Sequence, residues 1–150
     1  METFPKGGML PSFRSLHIWN CEILLRNSSL NLFDMLSHLE IGYLCDGVES
    51  FPNKGFASLP PSLTSLDLRK MSSLHTLECR GLLHLTSLQQ LTIHHCPKLE
   101  NMEGERLPAS LIKLEIVGCP RLEEWCRTKH PQIWPKVSHI KGIRVNYKWI

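Results

Sequence analysis

Between residues 88 and 122 the apolar positions follow one spacing twice. Leu88, Leu91, Ile93, Cys96 and Leu99 are answered by Leu111, Leu114, Ile116, Cys119 and Leu122 at the same offsets. Leu91 and Ile93 alternate with Gln90, Thr92 and His94, which is the period of an extended strand with one apolar side. The template also fits upstream at Phe13, Leu16, Ile18, Cys21, at Leu36, Leu39, Ile41, Leu44, and at Leu63, Leu66, Leu68, Met71, Leu74. Its first positions are 13, 36, 63, 88 and 111, so it recurs in steps of 23, 27, 25 and 23 residues.

No such unit can bury its apolar edge alone, and stacking the units lets each strand pair in parallel with the next over a continuous core. Each buried leucine then contributes about 1.5–3 kcal/mol. Spacing and period match a leucine-rich repeat. The predicted fold is therefore an α/β solenoid: a horseshoe segment of about five repeats, with short parallel strands on the concave face and a mostly irregular convex side.

Cys21, Cys96 and Cys119 fall where the template asks for a small, weakly polar side chain in the bend after the strand. Leu44 and Met71 replace it in the second and third repeats, which predicts less regular turns there. Pro97 and Pro120 end the strand ladder. Leu59-Pro60-Pro61-Ser62 and Leu107-Pro108-Ala109-Ser110 read as extended lead-ins to the next strand. From Pro120 to Lys129, acids early, bases late and Pro131 just beyond predict a short helix that packs Leu122, Trp125 and Cys126 on the last repeat. A loop at Trp134-Pro135 and a closing strand at Ile143-Arg144-Val145 would complete a cap. The expected organisation is an irregular lead-in over 1–12, repeats over 13–122 and a C-terminal capping segment over 123–150. With no cap before Phe13, the repeats are expected to continue from something longer.

The 150 residues suit one domain, and hydrophobic and charged fractions of 42% and 21% are those of an ordinary globular chain. The net charge of +3 is too small and too scattered for a nucleic-acid footprint. The sequence holds no run of the ~20 apolar residues that would span a bilayer, nor a secretory signal at Met1–Gly8, which places the chain in the cytoplasm or nucleus with reduced cysteines. Cys119, Cys126 and His130, or His94, His95 and Cys96, lack the paired spacing of a zinc site. A Cys–His hydrolase would need a reachable low-pKa thiolate, which cysteines at repeat positions are poorly placed to supply. No catalytic, cofactor or metal site is expected.

The candidate binding surface is the outward row of the strands on the concave face: Trp19, Glu40, Tyr43, Asp67, Arg69, Thr92, His94 and Glu115. Trp19, Tyr43 and Arg69 are the expected anchors, because aromatics and arginine are enriched at interface hot spots.

Three stretches carry a family resemblance: Leu91 to Glu100, Leu107 to Pro120, and the tail Cys126 to Ile140 with Trp149-Ile150. Over residues 10–150 the chain resembles the C-terminal leucine-rich-repeat region of plant coiled-coil-class NB-LRR disease-resistance proteins. The resemblance implies a non-catalytic protein-recognition module. Its protein partner would be a pathogen effector, a guarded host protein or an upstream nucleotide-binding domain. No G-x-x-x-x-G-K-[ST] loop is present, so nucleotide binding is not implied for these residues. The alternative is a generic leucine-rich-repeat adaptor, such as the substrate-binding arm of a ubiquitin ligase.

Overall fold

The computed structural model describes residues 14–20, 36–44, 47–52 and 59–150, with the side chains of 18–20 and 44 left aside. The lead-in expected over 1–12, and Phe13 and Cys21 of the first template, lie outside the described residues. One sheet dominates. It contains β1 (Ser15–Asn20), β2 (His38–Leu44), β4 (Ser65–Arg69), β6 (Gln90–His94), β8 (Lys113–Val117), β9 (Gly142–Val145) and β10 (Lys148–Trp149), side by side in that order. Every pair is parallel except the hairpin of β9 with β10.

The register follows the template. Leu39, Leu66, Leu91, Leu114 and Ile143 pair in turn across the sheet, and so do Ile41, Leu68, Ile93, Ile116 and Val145. Both rows are buried, with the eight side chains from Leu39 to Ile116 at 0% exposure. This is an α/β arrangement of successive parallel strands with few helices, compatible with a solenoid.

The return path is more ordered than the sequence predicts. β3 (Ser50–Phe51), β5 (Thr76–Glu78) and β7 (Asn101–Glu103) form a second parallel sheet, with Phe51, Leu77 and Met102 in register and buried. Strands of two or three residues are too short to leave an alternation signal. The proline lead-ins also differ from expectation, being turns rather than extended segments: Leu63 and Leu111 donate their N–H groups to the carbonyls of Pro60 and Pro108 at 3.2 Å. Ser62 and Ser110 then tie each turn to the preceding unit, donating to the carbonyls of Leu36 at 2.5 Å and Leu88 at 2.6 Å.

One device recurs at the exits from the large sheet. Two positions after the second buried residue of the strand stand Tyr43, Lys70, His95, Gly118 and Tyr147, with left-handed φ values of 66°, 52°, 55°, 69° and 67°. The turn after Lys70 is therefore like the others, contrary to the irregularity expected there, and Met71 is as fully buried as Cys96 and Cys119. Only Gly118 among the five is a glycine, so composition does not announce the device.

At the C-terminal end, α1 (Pro120–Arg127) buries Leu122 and Cys126 and packs Trp125 on the core as expected. Trp134-Pro135 opens a single turn, α2 (Trp134–Val137), instead of a loop, because proline in the first turn lacks an N–H that the helix would leave unbonded anyway. β9 then joins β8 in parallel, so the ladder runs on through the segment expected to close it.

Candidate functional site

The face of the large sheet turned from the core carries three register rows. The middle one joins His17, Glu40, Asp67, Thr92, Glu115 and Arg144. On one side run His38, Ser65, Gln90, Lys113 and Gly142, and on the other Gly42, Arg69, His94 and Val117.

Arg69 is the hub. Its Nε lies 3.1 Å from Glu40 Oε1 and its second terminal nitrogen 3.6 Å from Asp67 Oδ2. Nη1 lies 3.0 Å from His94 Nδ1, and since a guanidinium only donates, that imidazole nitrogen accepts. Asp67 Oδ2 also meets His38 Nε2 at 3.2 Å, and Glu40 Oε2 meets His17 Nδ1 at 3.3 Å. Further along, Glu115 lies 3.8 Å from both Lys113 Nζ and Arg144 Nε. Burial lowers the pKa of His94, and the neighbouring Arg69 charge lowers it further, so the ring is neutral.

Of the residues singled out from sequence, Glu40, Asp67, Thr92 and Glu115 share the middle row, and Arg69 and His94 are neighbours in the next. Glu40, Asp67 and Thr92 are only 8%, 6% and 4% exposed, so the carboxylates are committed to internal partners rather than offered freely. Tyr43 stands apart in the left-handed turn, with Lys70 Nζ 5.6 Å from its ring centroid. Trp19 belongs to β1, but its side chain is outside the described residues. Sequence reasoning passed over His17, His38, Lys113 and Arg144. His17 stands at the offset in its repeat that Glu40 and Asp67 hold in theirs, a signal that was present.

Cys96 and Cys119 serve the turns after their strands. Cys96 N–H points to Cys119 Sγ at 3.4 Å, and Cys119 Sγ is 3.5 Å from the Val117 carbonyl. Burial pushes the Cys79 thiol up to about 11 and that of Cys126 up to about 12, while the hydrogen bond with Cys96 and burial push Cys119 up as well. Protonated thiols of this kind are poor nucleophiles. His130 stacks on Trp125 with centroids 4.4 Å apart and accepts from Gln132 N–H through Nδ1. Among the described residues no group of three His, Cys, Asp or Glu side chains could hold a metal ion, and no helix is long and apolar enough to cross a membrane.

A protein of Arabidopsis thaliana named as a disease resistance protein is 34% identical to this chain over 142 residues, covering 93% of the chain and 10% of that protein. The chain thus spans about a tenth of the relative's length. No family model matches the sequence. No solved structure matches it either. The chain is related to a region of a plant resistance protein.

Proposed function

We propose that this chain is the leucine-rich-repeat part of a plant intracellular immune receptor, a non-catalytic module that recognises a protein through the polar face of its large sheet. The repeats would occupy 13–122 and the cap 123–150, with the polar face concave. The observation that carries the reading is the register itself: one residue of each strand from β1 to β9 in the large sheet joins a single polar row over a repeating leucine core. Similarity to a resistance protein supports the biological setting. The partner would be a pathogen effector, a guarded host protein or the receptor's nucleotide-binding domain, met in the cytoplasm or nucleus. Glu40, Tyr43, Asp67, Arg69, Thr92, His94 and Glu115, with Trp19, are the proposed contact residues.

The test is affinity capture with crosslinking from leaf tissue expressing the tagged chain. Thr92→Lys puts a long cation between Asp67 and Glu115, and should reduce recovery of a specific partner about tenfold, the equivalent of ~1.4 kcal/mol. Lys98→Glu, outside the sheet, should leave recovery unchanged. Equal recovery with both variants, each with an unchanged melting midpoint, would remove this face from the proposal.

A further inference from the structure

Beyond the Arg69 network, the last hairpin sets Tyr147 and Trp149 beside Arg144, the end of the polar middle row. Tyr147 and Trp149 are each 61% exposed, although large aromatics are usually covered. The Arg144 guanidinium carbon lies 5.4 Å from the Tyr147 ring centroid and 5.5 Å from that of Trp149. Arg144 and Trp149 are register partners, and Trp149 lies across Gly142, where a Cβ would come within 3.1 Å of its ring. Glycine at 142 therefore makes room for the indole on the polar face.

Arg144 is held in place by aromatic rings more than by acids. Its ion pair with Glu115 is 3.8 Å long, beyond hydrogen-bond distance, and its buried Nε has no hydrogen-bond partner. The Arg144 side chain remains 31% exposed beside the two open rings, so a partner's carboxylate can reach the guanidinium.

We propose that Arg144, Tyr147 and Trp149 form a docking site for an acidic–apolar segment of a partner protein, with a carboxylate on Arg144 and an apolar side chain on Trp149. Charge favours this occupant. Lys113 and Arg144 share the single carboxylate of Glu115, leaving an excess of positive charge beside the rings. A polyanion fits less well, because Glu115, Asp67 and Glu40 continue along the same row where a nucleic-acid strand would need cations. The inference stands on this hairpin and does not need the receptor reading.

The experiment is fluorescence anisotropy of the full chain with a labelled peptide alternating aspartate with leucine and phenylalanine. Its asparagine analogue and a labelled oligothymidylate are run beside it. Saturable binding of the acidic peptide is expected, with the asparagine analogue, R144Q and W149A each about tenfold weaker. Thermal melts establish that the variants fold, and R144Q carries the test if W149A is destabilised. The proposal is overturned by absence of saturable binding, by equal binding of the asparagine analogue, by wild-type affinity in folded R144Q, or by preference for oligothymidylate.

Discussion

Arg69 donates through Nη1 to Nδ1 of His94 across 3.0 Å, which fixes the histidine as a neutral acceptor on the polar face. Burial and then the Arg69 charge lower its pKa, outweighing the opposite pull of Glu115 and Asp67.

A histidine with a lowered pKa makes folding sensitive to acid. Below its ordinary value of 6.5 the unfolded chain takes up a proton that the folded chain refuses, so stability falls as pH falls through 6.5 toward the lowered native value. In His94→Gln the side-chain oxygen still accepts from Arg69 and nothing titrates. Urea denaturation between about pH 7.5 and 5.5 should show a shallower loss of stability in the variant than in wild type. Parallel slopes would mean that His94 does not titrate differently in the two states.

Two glycines allow close approaches of different hardness. A Cβ on Gly42 would fall 1.8 Å from the Arg69 carbonyl oxygen, which is backbone and cannot swing away. On Gly118, at φ +69°, the obstacle is His95 Nδ1 at 2.4 Å, on an exposed side chain that can move. Gly42→Ala should cost about 3 kcal/mol or more, and Gly118→Ala about 1–2 kcal/mol from the left-handed backbone. Denaturation midpoints in the reverse order would contradict the packing described.

The inward rows were legible because an aliphatic residue at every offset leaves a signal that no local context can hide. The polar network was legible only in part. Strand alternation put Glu40, Asp67, Thr92 and Glu115 on one face, but it could not say that Arg69 would span Glu40, Asp67 and His94. That depends on side-chain reach across three strands. The left-handed exits were invisible for another reason: Tyr43, Lys70, His95 and Tyr147 adopt them under the demands of stacking, against their own preference. The Phe51–Leu77–Met102 sheet is set by spacing between repeats, since within each repeat it spans too few residues to show a period.

Stacked parallel strands should share damage with their neighbours. Leu114 is fully buried between Leu91 and Ile143 in the register. Leu114→Ala should cost about 2–5 kcal/mol, and Leu114→Asp should unfold the adjoining strands outright. Hydrogen exchange ought to show lost protection in β6 and β9 as well as β8, with less effect at β2. Loss confined to β8 would argue against cooperative stacking.

The four thiols among the described residues should be silent in the folded chain. Cys79, Cys96, Cys119 and Cys126 are all buried, and burial raises the Cys79 and Cys126 pKa values to about 11 and about 12; the hydrogen bond with Cys119 lowers that of Cys96, whose sulfur is protected by being fully buried. Iodoacetamide near neutral pH should leave these four unmodified by mass spectrometry until urea is added. Selective native labelling of any one of them would reveal a low-pKa thiol and reopen thiol chemistry.

Among the described residues Glu123 is the buried acid that lies outside the strands, 5% exposed at the start of α1. Its Oε2 accepts from the Cys119 N–H at 2.6 Å, and its Oε1 accepts from Asn146 Nδ2. Asn146 in turn accepts from the Gly118 N–H through Oδ1 at 3.3 Å. One acid thus joins the helix start to the β9–β10 turn. Glu123→Gln leaves an amide donor facing the donor of Asn146 or of Cys119, and should cost about 1–3 kcal/mol. Asn146→Asp sets two carboxylates against each other and should cost at least as much. The double variant, Glu123→Gln with Asn146→Asp, exchanges amide and acid. The introduced glutamine can then accept from Cys119 and donate to the introduced aspartate, which still accepts from Gly118. It should recover more than about 1 kcal/mol relative to the sum of the single changes. Additive losses in denaturant titrations would show that the Glu123–Asn146 contact does not couple helix to hairpin.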